Sequence, residues 1–592
     1  MSSGIKQANK EQVFLATTAL EEFWDTSRPV IFLGDWCLRY SRRHVWEPLK
    51  RDVLPSIWKD RERFIVAYVY LNDLYERLLR QMADWLDEVH GERHDVRYWR
   101  IIVGPWLFHY LDTLYDHYMS LKEVRSKYPP FDTILLSEDS FITPRSTIEF
   151  LQLLFDDPYN LQIYSRILLA DVNTFKKKAS DLLNTKSQSI RKRDLSGIIK
   201  NKLKKMGMRL VKKEGSICWA TPYFSKRTMV KIILASKGII RPIFSTDDVM
   251  SVTAPNRKIR DGFKIIPHKG DEFETLMANL LPDDIPFIFL ESYKTVKAGA
   301  LSYFPAKPRA IIAATSWYFD EKFKIWAAMA AESGCPLHGV QHGGNYGIDQ
   351  YMRALDHEVA ITDKFYSWGW NLNELSDRII PMTMGNLAWK KNYRSNIRNT
   401  DILYAGTSHP KYSYRLQCPG SNHMEKYCAD QSRFLKNLNL RYREKISYRP
   451  LIYDYGFDIV ERIQNSWPDL TIENWDIPFQ TRLLSCRLFV SDHLGNVHAE
   501  ALSMDVPTVL FWDPESTIYR EEAKNKLDYL RAVGILHDTP EAAAGKVNEV
   551  YDHVDEWWQV RERQEARSQF CEHYARSSSH AIDEWTNEFR KI

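Results

Sequence analysis

The sequence predicts an α/β protein: two doubly wound parallel sheets with a helical insertion and C-terminal helices. Three observations predict it. Short apolar runs end in small or polar residues, as strands buried on both faces do. Stretches with apolar residues at three- and four-residue spacing separate those runs. The length, 592 residues, exceeds what one hydrophobic core supports.

Taken in order, "VFLATTA" (13–19) and "PVIFLGDW" (29–36) read as strands. "RERFIVAYVYLNDLYERLLRQMADWLDEVHG" reads as a helix stopped by Gly91, and "YWRIIVGPWLFHYLDTLYDHYMSL" as a helical stretch broken at Gly104-Pro105. Residues 176–213 carry 14 Lys or Arg against Asp181 and Asp194. Interleaved Leu, Ile and Met make this segment either a solvated helix or a basic amphipathic face for anionic lipid, where each cation adds about 1 kcal/mol. From residue 286 strands and helices alternate: strands at "PFIFLES" (286–292), "RAIIAATSWY" (309–318), "PLHGVQHGG" and "HEVAITDKFYSWGW" (357–370), with a helix "FDEKFKIWAAMAAESG" closed by Gly334. A second unit has strands at "DILYAGTSHP" (401–410), "LTIENW" (470–475), "RLFVSDHLGN" (487–496) and "VPTVLFW" (506–512). The expected division is 1–370, with a helical and basic insertion over about 40–280, then 371–540, then C-terminal helices over 541–592. Two Rossmann-like halves facing each other place ligands beyond the carboxyl ends of the strands.

Composition excludes several classes. A net charge of +4 is small for this length and argues against a nucleic-acid binder. Seven scattered cysteines without a CxxC pair argue for reduced thiols in a cytoplasmic setting. The start lacks a secretory h-region, and no apolar run is long enough to span a bilayer. No HExxH, cysteine cluster, P-loop or DxD-like pair is present, so no metal site and no cofactor are expected.

In "SDHLGNVHAEALSMDVPTVLFW" (491–512) a strand runs into Ser491, Asp492, Gly495 and Asn496, and a helix opens that carries Glu500. Backbone N–H groups at a helix start suit a nucleotide phosphate, and Glu500 can accept from ribose hydroxyls; Ser and Asn as ordinary caps is the plainer alternative. Glu291, at the end of an apolar run, is a candidate nucleophile or base, or else a cap or lysine partner. His342, in "QHGGNYG", stands at a strand tip among glycines that permit close approach to a ligand. His338 reads as a core histidine. Asp363 is a second carboxylate candidate, with Glu358 beside it. Arg443 faces either a phosphate or a helix-surface acid. These residues serve a double displacement or a single one equally well.

The pattern S-x(3)-G-N-x(3)-E-A-L-x(4)-P-T-V resembles the donor-binding segment of GT-B glycosyltransferases. "YAGTSHP" (404–410) is similar to the His-Pro motif of bacterial CMP-sialate and CMP-Kdo transferases of that type. The chain as a whole resembles a transferase family of bacterial O-antigen and surface-glycan gene clusters, through "FLATT", "YWRIIVGPWL", "FLES", "QHGGNYG", "TDKFYSWGW" and "SDHLGN…EAL…PT..FWDP". The resemblance implies a metal-independent GT-B glycosyltransferase in the cytoplasm, possessing a CMP-ulosonate donor and a lipid-linked surface glycan as acceptor, with peripheral inner-membrane contact through 176–213. A UDP- or GDP-sugar or CDP-glycerol donor, or a non-catalytic assembly scaffold, are the rival readings. On this resemblance Thr407, Ser408, His409, Ser491, Asn496 and Glu500 hold the donor, with Arg443 a weaker candidate, and Glu291, His342 and Asp363 act on sugar and acceptor.

Overall fold

The computed structural model describes residues 12–128, 130–171, 174–195, 212–221, 223–244, 254–385, 401–417 and 423–592, with 204, 206–208 and 387 besides. Among them, strands β1 (Val13–Ala16), β2 (Val30–Phe32), β3 (Arg51–Val53) and β4 (Phe131–Asp132) form a parallel sheet in the order β3-β2-β1-β4. Strands β5 (Ile134–Leu136) and β6 (Lys176–Lys178) form a small parallel pair. The first large sheet contains β7 (Ile217–Ala220), β8 (Ile240–Pro242), β9 (Ala310–Ala313), β10 (Leu337–Val340), β11 (Lys364–Ser367) and β12 (Ile379–Pro381), in the order β12-β11-β10-β9-β7-β8. The second contains β13 (Ile402–Ala405), β14 (Ile446–Arg449), β15 (Thr471–Ile472), β16 (Leu488–Ser491), β17 (Thr508–Phe511) and β18 (Leu536–His537), in the order β15-β14-β13-β16-β17-β18. Every ladder in both is parallel. Counted from its own first strand, the second sheet is the doubly wound order that reverses at its first strand, so its ligand crevice lies beyond β13 and β16. Two doubly wound parallel sheets are the expected arrangement.

Helix α1 (Arg61–His90) begins where Asp60 accepts from Arg63 N at 3.1 Å and ends at Gly91, whose φ of 67° suits a residue without Cβ. Helix α2 (Val96–Lys127) is capped by Asp95 and runs unbroken through Gly104-Pro105. The expected break is absent because α2 is buried on nearly every side, and packing overrides the lost hydrogen bond. Buried Lys324 also donates to Ile102 O at 2.9 Å within that turn.

Other expectations are corrected too. Residues 286–292 are not a strand: a 3-10 turn, Phe287–Phe289, precedes a helix, Tyr293–Tyr303. The turn's amides bond Pro144 O and Arg145 O, so the apolar run is buried as an isolated turn. Residues 357–370 divide into the end of helix α3 (Arg353–Ile361) and strand β11. Strands β7 and β8 arise within the region read as an insertion. No helix among the described residues is long and apolar enough to cross a membrane.

Of the basic segment 176–213, Lys177 pairs with Glu138 at 2.9 Å, Lys178 with Glu22 at 3.1 Å, and Lys186 with Asp156. Much of its remainder lies outside the described residues.

Beside the site itself, three features tie the large sheets to each other or to the N-terminal helices. Gln350 N donates to Ile518 O and Arg520 N to Ile348 O, both at 2.9 Å. Helix α5 (Ala581–Arg590), after α4 (Arg561–Tyr574), crosses back to the first sheet, where Trp585 Nε1 donates to Thr383 O at 3.0 Å and Glu588 meets Lys364 at 3.3 Å. The third feature is the segment 411–417. Lys411 and Tyr412 bond buried Asp157 at 2.7 Å and 2.6 Å, His109 Nδ1 lies 2.8 Å from Tyr414 O, and Leu416 N donates to Asp112 at 2.9 Å.

Candidate active site

Parallel strands end their backbone ladder at the carboxyl edge, where side chains from successive loops converge. At that edge of the second sheet, residues following β13, β16 and β17 enclose a pocket of about 600 Å³ including its open mouth. Thr407, His409, Asp492, His493, Trp512 and Asp513 contribute, with His423, Lys426 and Tyr427 from the start of the helix Met424–Asn437. Burial, then the charges of His493, Arg415 and His423, pushes the His409 imidazole down to about 4, so it is neutral at physiological pH. Ser408 and Ser491 are buried beside the pocket, and the Ser408 hydroxyl has no partner among the described residues.

At the carboxyl end of β10, His342 Nε2 lies 2.8 Å from Glu358 Oε1, and Tyr346 OH lies 3.0 Å from each. Glu358, on α3, is wholly buried, whereas the His342 side chain is 18% exposed. A proton on Nε2 satisfies the carboxylate and leaves the lone pair on Nδ1, the state of a base. Gln341 sets the approach: its Oε1 accepts from Trp368 N at 2.7 Å and Trp370 Nε1 at 2.8 Å.

The neighbouring glycines have a different role from the one expected. A Cβ on Gly344 would stand 2.1 Å from Gly495 O, so the two sheets' loops touch backbone to backbone there. Asn496 completes the clasp: its Oδ1 accepts from Gly344 N at 2.6 Å, and its Nδ2 donates to His342 O at 3.3 Å and to Tyr223 OH. Asn496 therefore joins the domains instead of lining the pocket. Glu500, nearly buried one turn on, acts with burial to raise the Tyr223 hydroxyl, which places its charge on the seam side.

Three expected site residues lie elsewhere. Glu291 is taken up by Arg260, with Nε to Oε1 at 2.8 Å, and by Asn256 N, because the turn at 287–289 aims it away from any strand tip. Asp363 precedes β11, so it sits at the amino edge of the sheet, one strand length of about 13 Å from the His342 edge. There it accepts from Leu337 N at 2.8 Å and pairs with Arg97 at 2.9 Å. Arg443 likewise precedes β14 and stacks over Trp467 at 4.5 Å, at the edge opposite the pocket. His338 is the expected core histidine, bonded to Tyr366 OH at 2.8 Å.

Sequence reasoning missed the pairing of Glu358 with His342, the Asp492–His493 pair and Arg415. The only local signal was charge and imidazole adjacency in "SDH" and the "HPKYSYR" run after β13.

Among solved structures, the chain is similar to a variant of S. aureus TarM in complex with Fondaparinux, α-GlcNAc-glycerol and UDP: 13% identity over 47% of this chain and 55% of that one, TM-score 0.31. The chain thus spans little more than half the TarM length. A variant of the wall teichoic acid polymerase TagF shares 12% identity over 69% of this chain and 97% of that one, TM-score 0.35. UDP-GlcNAc 2-epimerase from Neisseria meningitidis bound to UDP-GlcNAc shares 11% over 64% and 100%, TM-score 0.35. These likenesses are slight and bear on no residue's role. No curated protein matches the sequence. Residues 13–589 match the LIC12162 family transferase, and the chain belongs to that family.

Proposed function

We propose that this transferase is a glycosyltransferase that moves an ulosonic-acid sugar, Kdo or a related nonulosonate, from a CMP donor onto a bacterial surface glycan that is lipid-linked at the inner membrane face. The observation that carries the reading is the opposition of two edges. A pocket walled by His409 at the carboxyl ends of β13, β16 and β17 stands across a clasped seam from the His342–Glu358 dyad at the end of β10. In the proposed reaction the acceptor hydroxyl gives its proton to His342 Nδ1 while its oxygen attacks the anomeric carbon. Glu358, buried behind the ring, stabilises the imidazolium that forms. Thr407 and His409 line the nucleotide side, with Ser408 and Ser491 buried beside them, and His409, neutral at physiological pH, serves as a hydrogen-bond partner and not as a charge.

The CMP assignment rests on the resemblance of "YAGTSHP" to the His-Pro motif. Calorimetric titration with CMP, UDP, GDP and CDP tests it, together with nucleotide release from CMP-Kdo, CMP-sialate and UDP-sugars. Binding and turnover of CMP derivatives are expected; binding of UDP, GDP or CDP without CMP overturns the donor assignment. Binding of no nucleotide overturns glycosyl transfer altogether.

A further inference from the structure

A nucleotide leaving group carries negative charge that the pocket must receive, and its residues divide sharply by availability. Lys426 is held by Asp430 at 2.9 Å and Asp513 at 3.2 Å. His409 is pushed down to about 4, and burial lowers His423. His493 differs. Its Nδ1 lies 3.0 Å from Asp492 Oδ1 and 3.4 Å from Ser491 Oγ, while its Nε2 has no protein partner among the described residues.

Asp492 is 4% exposed. Its Oδ2 accepts from Tyr404 OH at 2.7 Å and Gln431 Nε2 at 2.8 Å, and its Oδ1 from Tyr427 OH at 2.9 Å. Four donors from three elements fix this carboxylate, and a carboxylate so held orients the imidazole bonded to it. The charged and titratable groups facing His493 are Asp492 behind it, His409 after β13, His423, Lys426 and Asp430 on the helix from Met424, Asp513 after β17, and His498 beneath. Burial, then the His493 charge, pushes His498 down to about 3, so it stays neutral.

We propose that His493 is a catalytic residue on the donor side, receiving the leaving phosphate through Nε2–H, and that Asp492 is its positioning residue. The inference rests on the glycosyl-transfer reading. As the bond from the anomeric carbon to the phosphate oxygen breaks, its electron pair stays on that oxygen, which takes the proton from His493 Nε2. The acceptor oxygen bonds the anomeric carbon and loses its own proton to His342 Nδ1. One proton is given and one is taken, so two histidine–carboxylate pairs on opposite edges act as acid and base.

The test compares a nucleotide with its nucleoside, using the full chain and calorimetry with CMP and cytidine. Wild type is expected to bind CMP about tenfold more tightly than His493→Asn. Cytidine affinity stays equal and reports an intact pocket. His493→Asn is expected to lower kcat about 100-fold at little change in acceptor KM, and Asp492→Asn to lower kcat in the same sense with acceptor KM and cytidine affinity unchanged. If His493→Asn loses cytidine as well, His493→Gln supplies the same ratio. A CMP-to-cytidine ratio equal in wild type and variant overturns this role alone. Wild type that binds no nucleotide overturns the donor pocket, and this role with it.

Discussion

Replacing Glu358 by Gln keeps the shape of the dyad and removes its charge. The buried carboxylate stands 2.8 Å from His342 Nε2, which puts the centres of an imidazolium and a carboxylate about 4 Å apart. Two unit charges at that separation interact by about 4 kcal/mol at the effective dielectric of a partly buried site. The interaction exists only once His342 has taken the acceptor's proton, so it falls on the transition state and on kcat, not on donor binding. Four kilocalories correspond to roughly a thousandfold. The assay is initial-rate CMP release from CMP-Kdo, with transfer to acceptor or to water, with kcat and KM separated and thermal melting as the folding control. The Gln side chain still accepts from His342 and Tyr346, so KM is expected to stay within about threefold. Glu358→Gln retaining kcat within tenfold of wild type refutes the dyad as the base. Tyr346→Phe, which removes a neutral donor, is expected to cost about 1 kcal/mol, or some fivefold.

Three further outcomes are expected. Asp157→Ala leaves Lys411, 2% exposed, without its carboxylate, and urea unfolding is expected to show a loss of about 3–5 kcal/mol. Burial acts to raise the Asp157 carboxyl, but the Lys411 and Arg39 charges outweigh it and hold it at about 2. Its contribution is therefore complete above pH 4 and fades as pH falls through 2, with acid titration of stability as the check. Asp349 behaves in the opposite sense: burial pushes its carboxyl up to about 7 despite Asn345, Arg415 and Arg520. Wild type then loses stability as pH rises from 4 to 7, and Asp349→Asn is expected to be the more stable by up to about 4 kcal/mol at pH 8 and equal at pH 4. Asn496→Ala removes the bonds to Gly344 N and His342 O, and is expected to cost about 1–3 kcal/mol of stability and to lower kcat with nucleotide affinity unchanged.

The features legible in the sequence were those whose cause is local. Buried parallel strands such as β9, β10, β13, β16 and β17 announce themselves by apolar runs with polar ends, and His342 and His409 follow from standing just past those ends. Strand β7 was not legible, because "SICWA" becomes a strand through pairing with β9, 93 positions away at Ile217 and Ala310. Asp363 and Arg443 were misjudged for one reason: each precedes its strand, and the opposite end of a parallel strand is the opposite side of the sheet. Glu291 looked like a strand tip because composition cannot distinguish a strand from an apolar turn buried by its neighbours. Glu358 was seen as a carboxylate near the cleft. Its pairing with His342, 16 residues away, depends on the helix α3 that the strand reading of 357–370 hid.

The segment after the His-Pro pair explains why a transferase of this size needs its third sheet. A loop carrying donor contacts must be rigid to within a fraction of an ångström to be worth its contacts in the transition state. Residues 407–417 have no regular structure of their own, so that rigidity comes from outside. Asp157, beside the carboxyl ends of β1 and β2, takes Lys411, Tyr412 and Arg39, while α2 holds Tyr414 O through His109 and Leu416 N through Asp112. Asp112 also binds Arg353 at 3.0 Å, on the helix that carries Glu358. A single buried carboxylate thus references both the segment after the His-Pro pair and the helix of Glu358 to the same turn of α2. The N-terminal sheet and its long helices form the frame that fixes the distance between the proposed donor pocket and the dyad.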